Sequence, residues 1–533
     1  MRLTNTEIMN TAQWEKAGIG LPKFNREAMI AATKENPEWV HFGAGNIFRA
    51  FPAALAQNLL EKGLMKTGIV VAEGYDGEII DKCFTPFDNL CVMVTLKSDG
   101  TTEKKVIASI ASAYRIDQDL SVLRGIFASP SLKMASFTIT EKGYSITGRD
   151  GALLPDIARD IKAGPGHVES YLGRIAALCY ERYLKGGLPL AMVSMDNCSH
   201  NGDKLFDAMD AFAKAWAENG LADRGFYDYI HSKNKISFPW TMIDKITPRP
   251  DDSVRDMLAA AGLENAQGVV TAKNTYVAPF VNAEEAQYLV VEDCFPNGKP
   301  PLDKAGVLFT QKEIVDKVEK MKVCTCLNPL HTALAVFGCL LGYTRISEEM
   351  KNPDLVKLVR GIGYKEGLPV VVNPGIVSPD KFIDEVINIR FPNPFMPVTP
   401  QRIATDTSQK IPVRYGETIK AYLESKTLKV SDLKLIPLVI AAWIRYLMGI
   451  DDNGNAFTPS PDPRLADLAP VVSGIKLGQK GPFTNILKPI LEDEKIFAVN
   501  LYKAGLAEKV ESLFEELNAG KGAIAATLKK YTG

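Results

Sequence analysis

His41-Phe-Gly-Ala-Gly-Asn-Ile-Phe-Arg49 is the stretch whose reading decides the fold. Glu38 to Phe42 (EWVHF) precedes and enters it as a short aromatic and β-branched run of strand type. The residues FRAFPAALAQNLLEKG follow with apolar positions at helical spacing. Two glycines therefore stand at a strand-to-helix turn. Gly43 permits a tight turn, and Gly45 lets the backbone approach a pyrophosphate, as in dinucleotide-binding sheets. Phe48 occupies the place of the usual third glycine, so the turn taken alone also fits a simple Gly-rich connection. Thr67 to Glu73 (TGIVVAE) reads as a second buried strand. Its terminal Glu73 can accept hydrogen bonds from the adenine ribose hydroxyls and would repel a 2′-phosphate, which favours NAD over NADP. Asp76 is the rival for that role, and a solvated strand-end carboxylate is the plain alternative.

Working outward, strands are expected at Leu90–Leu96, Met134–Thr140, Leu188–Met195 and Trp240–Ile246, with helices such as Val168–Leu184 and Lys204–Glu218 between them. This alternation predicts βαβ units and a mostly parallel sheet. Beyond residue 300 the pattern becomes helical, with 3.6-residue periodicity over Gln311–Cys326, His331–Gly342, Asp354–Glu366, Ile436–Met448 and Leu506–Leu517. Phe295–Pro301 (FPNGKPP) is a Pro/Gly-rich joint. The expected fold class is an α/β Rossmann-like N-terminal domain, residues 1–297, plus a mainly α-helical C-terminal domain, residues 298–533. An active site in the cleft between domains is the default for such an enzyme.

The balance of 62 Lys+Arg against 63 Asp+Glu in 533 residues leaves a formal charge of -1, so there is no basic footprint for nucleic acid. An apolar content of 46% is too high for a disordered chain. The N-terminal residues show no apolar signal segment. The most apolar stretch, Leu435 to Met448, is too short to span a bilayer and contains Arg445. Eight scattered cysteines without a CxxC pair, and only five histidines, give no metal-site spacing. The expectation is a cytoplasmic protein with neither a nucleic-acid nor a membrane partner.

The chemistry gathers at Glu319-Lys-Met-Lys322-Val-Cys-Thr-Cys-Leu-Asn328-Pro-Leu-His331. A desolvated lysine can act as general acid/base, an asparagine amide can stabilise an alkoxide, and a histidine can add a second hydrogen bond. The plain alternatives are a solvated lysine, an Asn that caps a helix with Pro at its first position, and a core histidine. Nine residues of straight helix would separate Lys322 from His331 by about 13.5 Å and about 180° of rotation. A break or π-bulge before Pro329 is therefore required if both serve one substrate.

These residues and five ordered motifs resemble the mannitol dehydrogenase family of long-chain polyol dehydrogenases, over roughly residues 36–515. The turn Gly43 to Ala50 is similar to the family's G-x-G-x-x-[FH]-R-A. Thr138–Tyr144 looks like its TEKGY-type strand end beside the nicotinamide, and Ser194-Met-Asp-Asn197 with Asn201-Gly202 like its SCDN…NG segment. Phe238-Pro239 with Met242–Pro248, and Arg390–Pro394 with Arg402–Lys410, look like two further segments. The resemblance implies NAD binding by Gly43, Gly45, Asn46, Phe48, Arg49, Glu73, Thr140 and Glu141. It implies Lys322 as acid/base, Asn197 and Asn328 as the alkoxide-stabilising pair, and His331 as the residue that orients the reacting oxygen. Asp244, Arg402 and Lys410 would bind the other hydroxyls or a terminal carboxylate, and no metal is needed. One departure stands out. The family places its lysine five residues before the Asn, whereas Lys322 lies six before Asn328, so a one-residue π-bulge is expected between them.

The implied activity is NAD-dependent interconversion of a C2 ketone and a secondary alcohol on a linear sugar. A hexuronate reductase acting on fructuronate and mannonate is favoured over the mannitol 2-dehydrogenase and tagaturonate reductase types, with a sugar acid or sugar alcohol as the small-molecule partner and a monomeric or homodimeric state. Readings from other classes are an NAD-using sugar epimerase and a non-catalytic sensor.

Overall fold

The computed structural model describes residues 1–533. They form two compact units, residues 1–97 with 101–316, and residues 98–100 with 317–533.

The first unit is built on six strands: β1 (Trp39–Phe42), β2 (Ile69–Glu73), β3 (Ile110–Arg115), β4 (Met134–Phe137), β5 (Leu190–Ser194) and β6 (Ile236–Ser237). Their spatial order is β3-β2-β1-β4-β5-β6, and every pairing is parallel. This is the doubly wound order, whose direction of winding reverses between β1 and β4; ligands of such sheets bind at the strand ends beside that point. All residues of β1, β2, β4 and β5 are buried, as expected for strands covered on both faces. The stretch from 85 to 117 supplies β3, which the strand signals missed. The expected strands at Leu90–Leu96 and Trp240–Ile246 form, but outside this sheet. Cys91–Leu96 pairs antiparallel with Thr102–Ile107, and Thr241–Asp244 pairs antiparallel with Tyr288–Glu292. The joint at Phe295–Pro301 lies on the connection between Tyr288–Glu292 and Leu308–Thr310, two strands that pair in parallel.

The second unit is helical. The run Lys312–Leu340 is helical but for a break at Leu327, and its most apolar window has mean hydropathy 1.5 and is 72% buried within the protein. By length and composition it could cross a membrane; by burial it behaves as a core helix. Leu435–Tyr446 is buried along its whole length, and Glu366 caps its start by accepting the N–H groups of Lys434, Leu435 and Ile436 at 2.7, 2.7 and 2.8 Å. Four π-helical segments interrupt this unit, at Met321–Cys326, Gly361–Gly367, Val386–Arg390 and Pro412–Gly416.

Glu349 is fully buried against Gly338, and neither carboxyl oxygen has a hydrogen-bond partner. Burial pushes its pKa up to about 9. A carboxyl whose folded pKa lies above its unfolded value gives stability that is complete below the unfolded pKa, near 4.5, and lost as the pH rises toward about 9. The wild-type melting temperature should therefore fall between about pH 5 and about pH 9, and Glu349→Gln should flatten that fall by at least several degrees. Parallel melting curves for the two proteins would refute a buried, protonated Glu349.

Candidate active site

The Gly-rich turn leaves β1 and enters α1 (Asn46–Ala50). Gly43 has φ +105°, and a Cβ there would run into the Thr138 carbonyl, with the carbonyl carbon at 3.0 Å. Glycine is thus demanded twice, by conformation and by space. In front of Gly45 a Cβ would meet nothing within 4 Å, so the turn presents open backbone where a pyrophosphate must come close. Glu73, buried at the end of β2, accepts the Ala44 N–H through Oε2 at 2.8 Å and the Tyr75 and Asp76 N–H groups through Oε1 at 2.7 and 3.0 Å. It therefore fixes the turn. Asp76, the rival, is buried and accepts the Thr271 hydroxyl at 2.6 Å.

Phe48 and Arg49, expected at the cofactor, are both fully buried. The Phe48 ring stacks on His41 of β1 with centroids 4.2 Å apart. It thereby supplies the helix–strand contact that the missing third glycine would otherwise allow. Arg49 donates to the Ala278 carbonyl at 2.7 Å and to the Asn46 side chain at 2.9 Å, which ties the helix to another strand connection. His41 is held neutral by burial, its pKa lowered to about 3.

Beside the switch point lies a cavity of about 310 Å³, lined by Ile47, Thr140, Glu141, Asn197, Ile243 and Lys245 among others. Three residues assigned from sequence, Thr140, Glu141 and Asn197, come together there. The organiser is Asp196, which sequence reading passes over although it sits in the quoted SMDN segment. Its carboxylate accepts the N–H groups of Ile139 and Thr140 at 2.9 and 2.8 Å and the Tyr144 hydroxyl at 2.6 Å. Thr140 is thereby held at φ +65°, a conformation a β-branched residue adopts only when its surroundings impose it. Asp244 is buried at the end of the neighbouring strand Thr241–Asp244.

Lys322, Asn328, His331, Arg402 and Lys410 belong to the second unit. The irregularity expected between Lys322 and Asn328 is present. α2 (Lys312–Lys320) passes into the π-helical Met321–Cys326, and the Leu327 N–H bonds back five residues to the Lys322 carbonyl at 3.1 Å. Leu327 leaves helical geometry at φ -124°, and α3 (Asn328–Leu340) starts anew with Pro329 in its first turn. The wide turn absorbs the extra residue. Lys322 is only 4% exposed, so the solvated-lysine alternative is excluded.

His331 has its pKa lowered to about 3, first by burial and then by Arg414, Arg390 and Lys410. It is a neutral imidazole with the Phe391 ring 5.1 Å away. Lys410 joins this cluster, but its amine also donates to the Ile403 carbonyl at 3.1 Å and to the Thr405 carbonyl. Arg402 is exposed, and it is absent from the charges that act on His331. Sequence reading gives no role to two of these cations. Arg390 ends one π segment and Arg414 lies in another, so with Lys322 three of the four π segments deliver a cation of the cluster or the candidate base. Such wide turns concentrate at functional sites, and the signal available in sequence is Pro412 interrupting a helical pattern.

A doubly wound dinucleotide-type sheet and a helical unit carrying a buried lysine, an asparagine and a neutral histidine define an oxidoreductase that acts on CH–OH groups. Residues 37–304 match the mannitol dehydrogenase Rossmann domain and residues 314–518 the mannitol dehydrogenase C-terminal domain. The chain belongs to the mannitol dehydrogenase family. It is 52% identical to a D-mannonate oxidoreductase of Thermotoga maritima, over 100% of this chain and 99% of that protein. It is 29% identical to a D-mannonate oxidoreductase of Escherichia coli, over 80% and 83% of the two chains. Among solved structures it is similar to the ternary complex of Pseudomonas fluorescens mannitol 2-dehydrogenase with NAD and D-mannitol, at 27% identity and TM-score 0.68, over 99% of each chain.

Proposed function

We propose that this enzyme catalyses the NAD-dependent interconversion of D-fructuronate and D-mannonate. The observation that carries the reading is the wide turn at Met321–Cys326, which buries Lys322 and brings the chain round to Asn328 and His331. The full-length similarity to a protein named D-mannonate oxidoreductase supports the substrate.

The residues present fit a dinucleotide: Gly43 and Gly45 leave bare backbone, and Glu73 keeps a lone pair on Oε2, which the protein uses once. When bound, NADH supplies the hydride delivered to the ketone carbon. Gly43, Gly45 and Asn46 would hold the pyrophosphate, Glu73 the ribose hydroxyls, and Thr140 and Glu141 would border the nicotinamide. Asn328 would donate a hydrogen bond to the growing alkoxide, which is stabilised most where donors are already aimed at it. His331, neutral, orients the reacting oxygen. Lys322 as ammonium gives that oxygen its proton, and as free amine takes it back in the oxidative direction. Lys410 would bind one of the remaining hydroxyls. Dependence on a recycled NADH pool favours the cytoplasm as the site of the reaction.

Consumption of NADH with D-fructuronate, D-tagaturonate and D-fructose tests this reading. The expected kcat/KM is highest for fructuronate, by at least about tenfold, which corresponds to one well-placed polar contact. Equal or higher efficiency with fructose would assign the chain to the hexitol branch instead.

A further inference from the structure

Around His331 the helical unit gathers three cations. The charges acting on the imidazole are Arg414, Arg390 and Lys410, with no carboxylate among them. Lys410 has Asp406 and Asp462 near enough to offset it, and two backbone carbonyls on its amine. Burial lowers the Arg414 pKa to about 10, and the neighbouring Tyr415 opposes that shift.

The Arg414 guanidinium is held from one side. Its Nη1 donates to the Asn328 carbonyl at 3.4 Å and to the Thr332 hydroxyl, while the adjacent Tyr415 hydroxyl donates to the Pro329 carbonyl at 2.7 Å. Residues 414 and 415 thus pin the Pro412–Gly416 turn against the first turn of α3, the turn that carries His331. Nε and Nη2 of Arg414 make no hydrogen bond to the protein. Arg390 reaches the same place, since its neighbour Phe391 packs on the His331 ring. A half-buried guanidinium with one edge anchored and one edge unspent matches a carboxylate in charge and in fork geometry. In a hexuronate the carboxylate stands at the opposite end of the carbon chain from the ketone, so its receptor must be distinct from the groups that handle the reacting oxygen.

We infer that Arg414 is the receptor for the substrate carboxylate and sets the preference for a sugar acid over an uncharged sugar. This deepens the hexuronate reading and rests on it. It also moves the recognition of the acid away from Arg402, which is exposed.

The test compares oxidation of D-mannonate and of its uncharged amide, D-mannonamide, by wild type, Arg414→Met and Arg414→Lys. Wild type should prefer the acid by at least about 30-fold in kcat/KM, chiefly through KM, the value of one charge-assisted contact. Arg414→Met should bring the two substrates to within about threefold of each other. Arg414→Lys, which keeps the charge but loses the fork, should fall between them and gives a reading should the methionine variant fail to fold. An acid-over-amide preference that survives both substitutions unchanged would overturn the role of Arg414 and leave the hexuronate reading standing. A wild type that oxidises neither compound would overturn both.

Discussion

Replacing Lys322 by alanine lowers turnover of D-fructuronate and of D-mannonate by at least about 100-fold, the lower end for a lost general acid/base. The lysine is buried where a π turn interrupts the helix, so its loss removes a proton donor that water does not replace at the same place. The Lys322→Arg variant should fail almost as badly, because a guanidinium does not release its proton at physiological pH. Melting curves check that the variants fold, and NADH titration by fluorescence checks that the Gly-rich turn, which lies in the other unit, is untouched. A near-normal rate in the alanine variant would remove Lys322 from the chemistry.

Gly43→Ala is the second large effect. At φ +105° the methyl group meets the Thr138 carbonyl, part of β4's exit toward Thr140. A strained φ of this kind costs of the order of 1–3 kcal/mol even before the clash. The turn can relax only by pulling away from β4, and that moves the Ala44 N–H from Glu73. NADH affinity should fall at least about tenfold, with a lower melting temperature, whereas Gly45→Ala, with open space before its Cβ, should lose affinity without loss of stability. Equal melting temperatures for wild type and Gly43→Ala would contradict the turn described here.

The sequence exposed those parts of the fold in which local pattern and tertiary environment agree. β1 and β2 are continuous apolar runs because both faces are covered, and the turn between β1 and α1 must contain glycine because Thr138 stands against it. β3 escaped notice because it is an edge strand, half-buried over Ser112 to Arg115, so IASAYR lacks a long apolar run. The shifted spacing of Lys322 and Asn328 correctly demanded a wide turn, since phase along a helix follows from counting. At Phe48 and Arg49 the motif coincides with packing. A residue can recur in a motif because it packs beneath a site, and these two face β1 and the Ala278 carbonyl. Arg414 was invisible for a different reason: the Pro412–Gly416 turn that aims it is set by the packing of Tyr415 against Pro329, a contact 86 residues apart in sequence.

Transfer of deuterium tests the hydride chemistry most directly. NADH labelled at the nicotinamide C4 position is supplied with D-fructuronate, and the product is analysed by NMR. The expected product is D-mannonate labelled on the carbon that bears the new hydroxyl, with one equivalent of NADH oxidised for each molecule formed. An isomerised sugar acid without net loss of NADH, as an epimerase would give, or NADH bound with no turnover of any hexuronate or ketose, would contradict it.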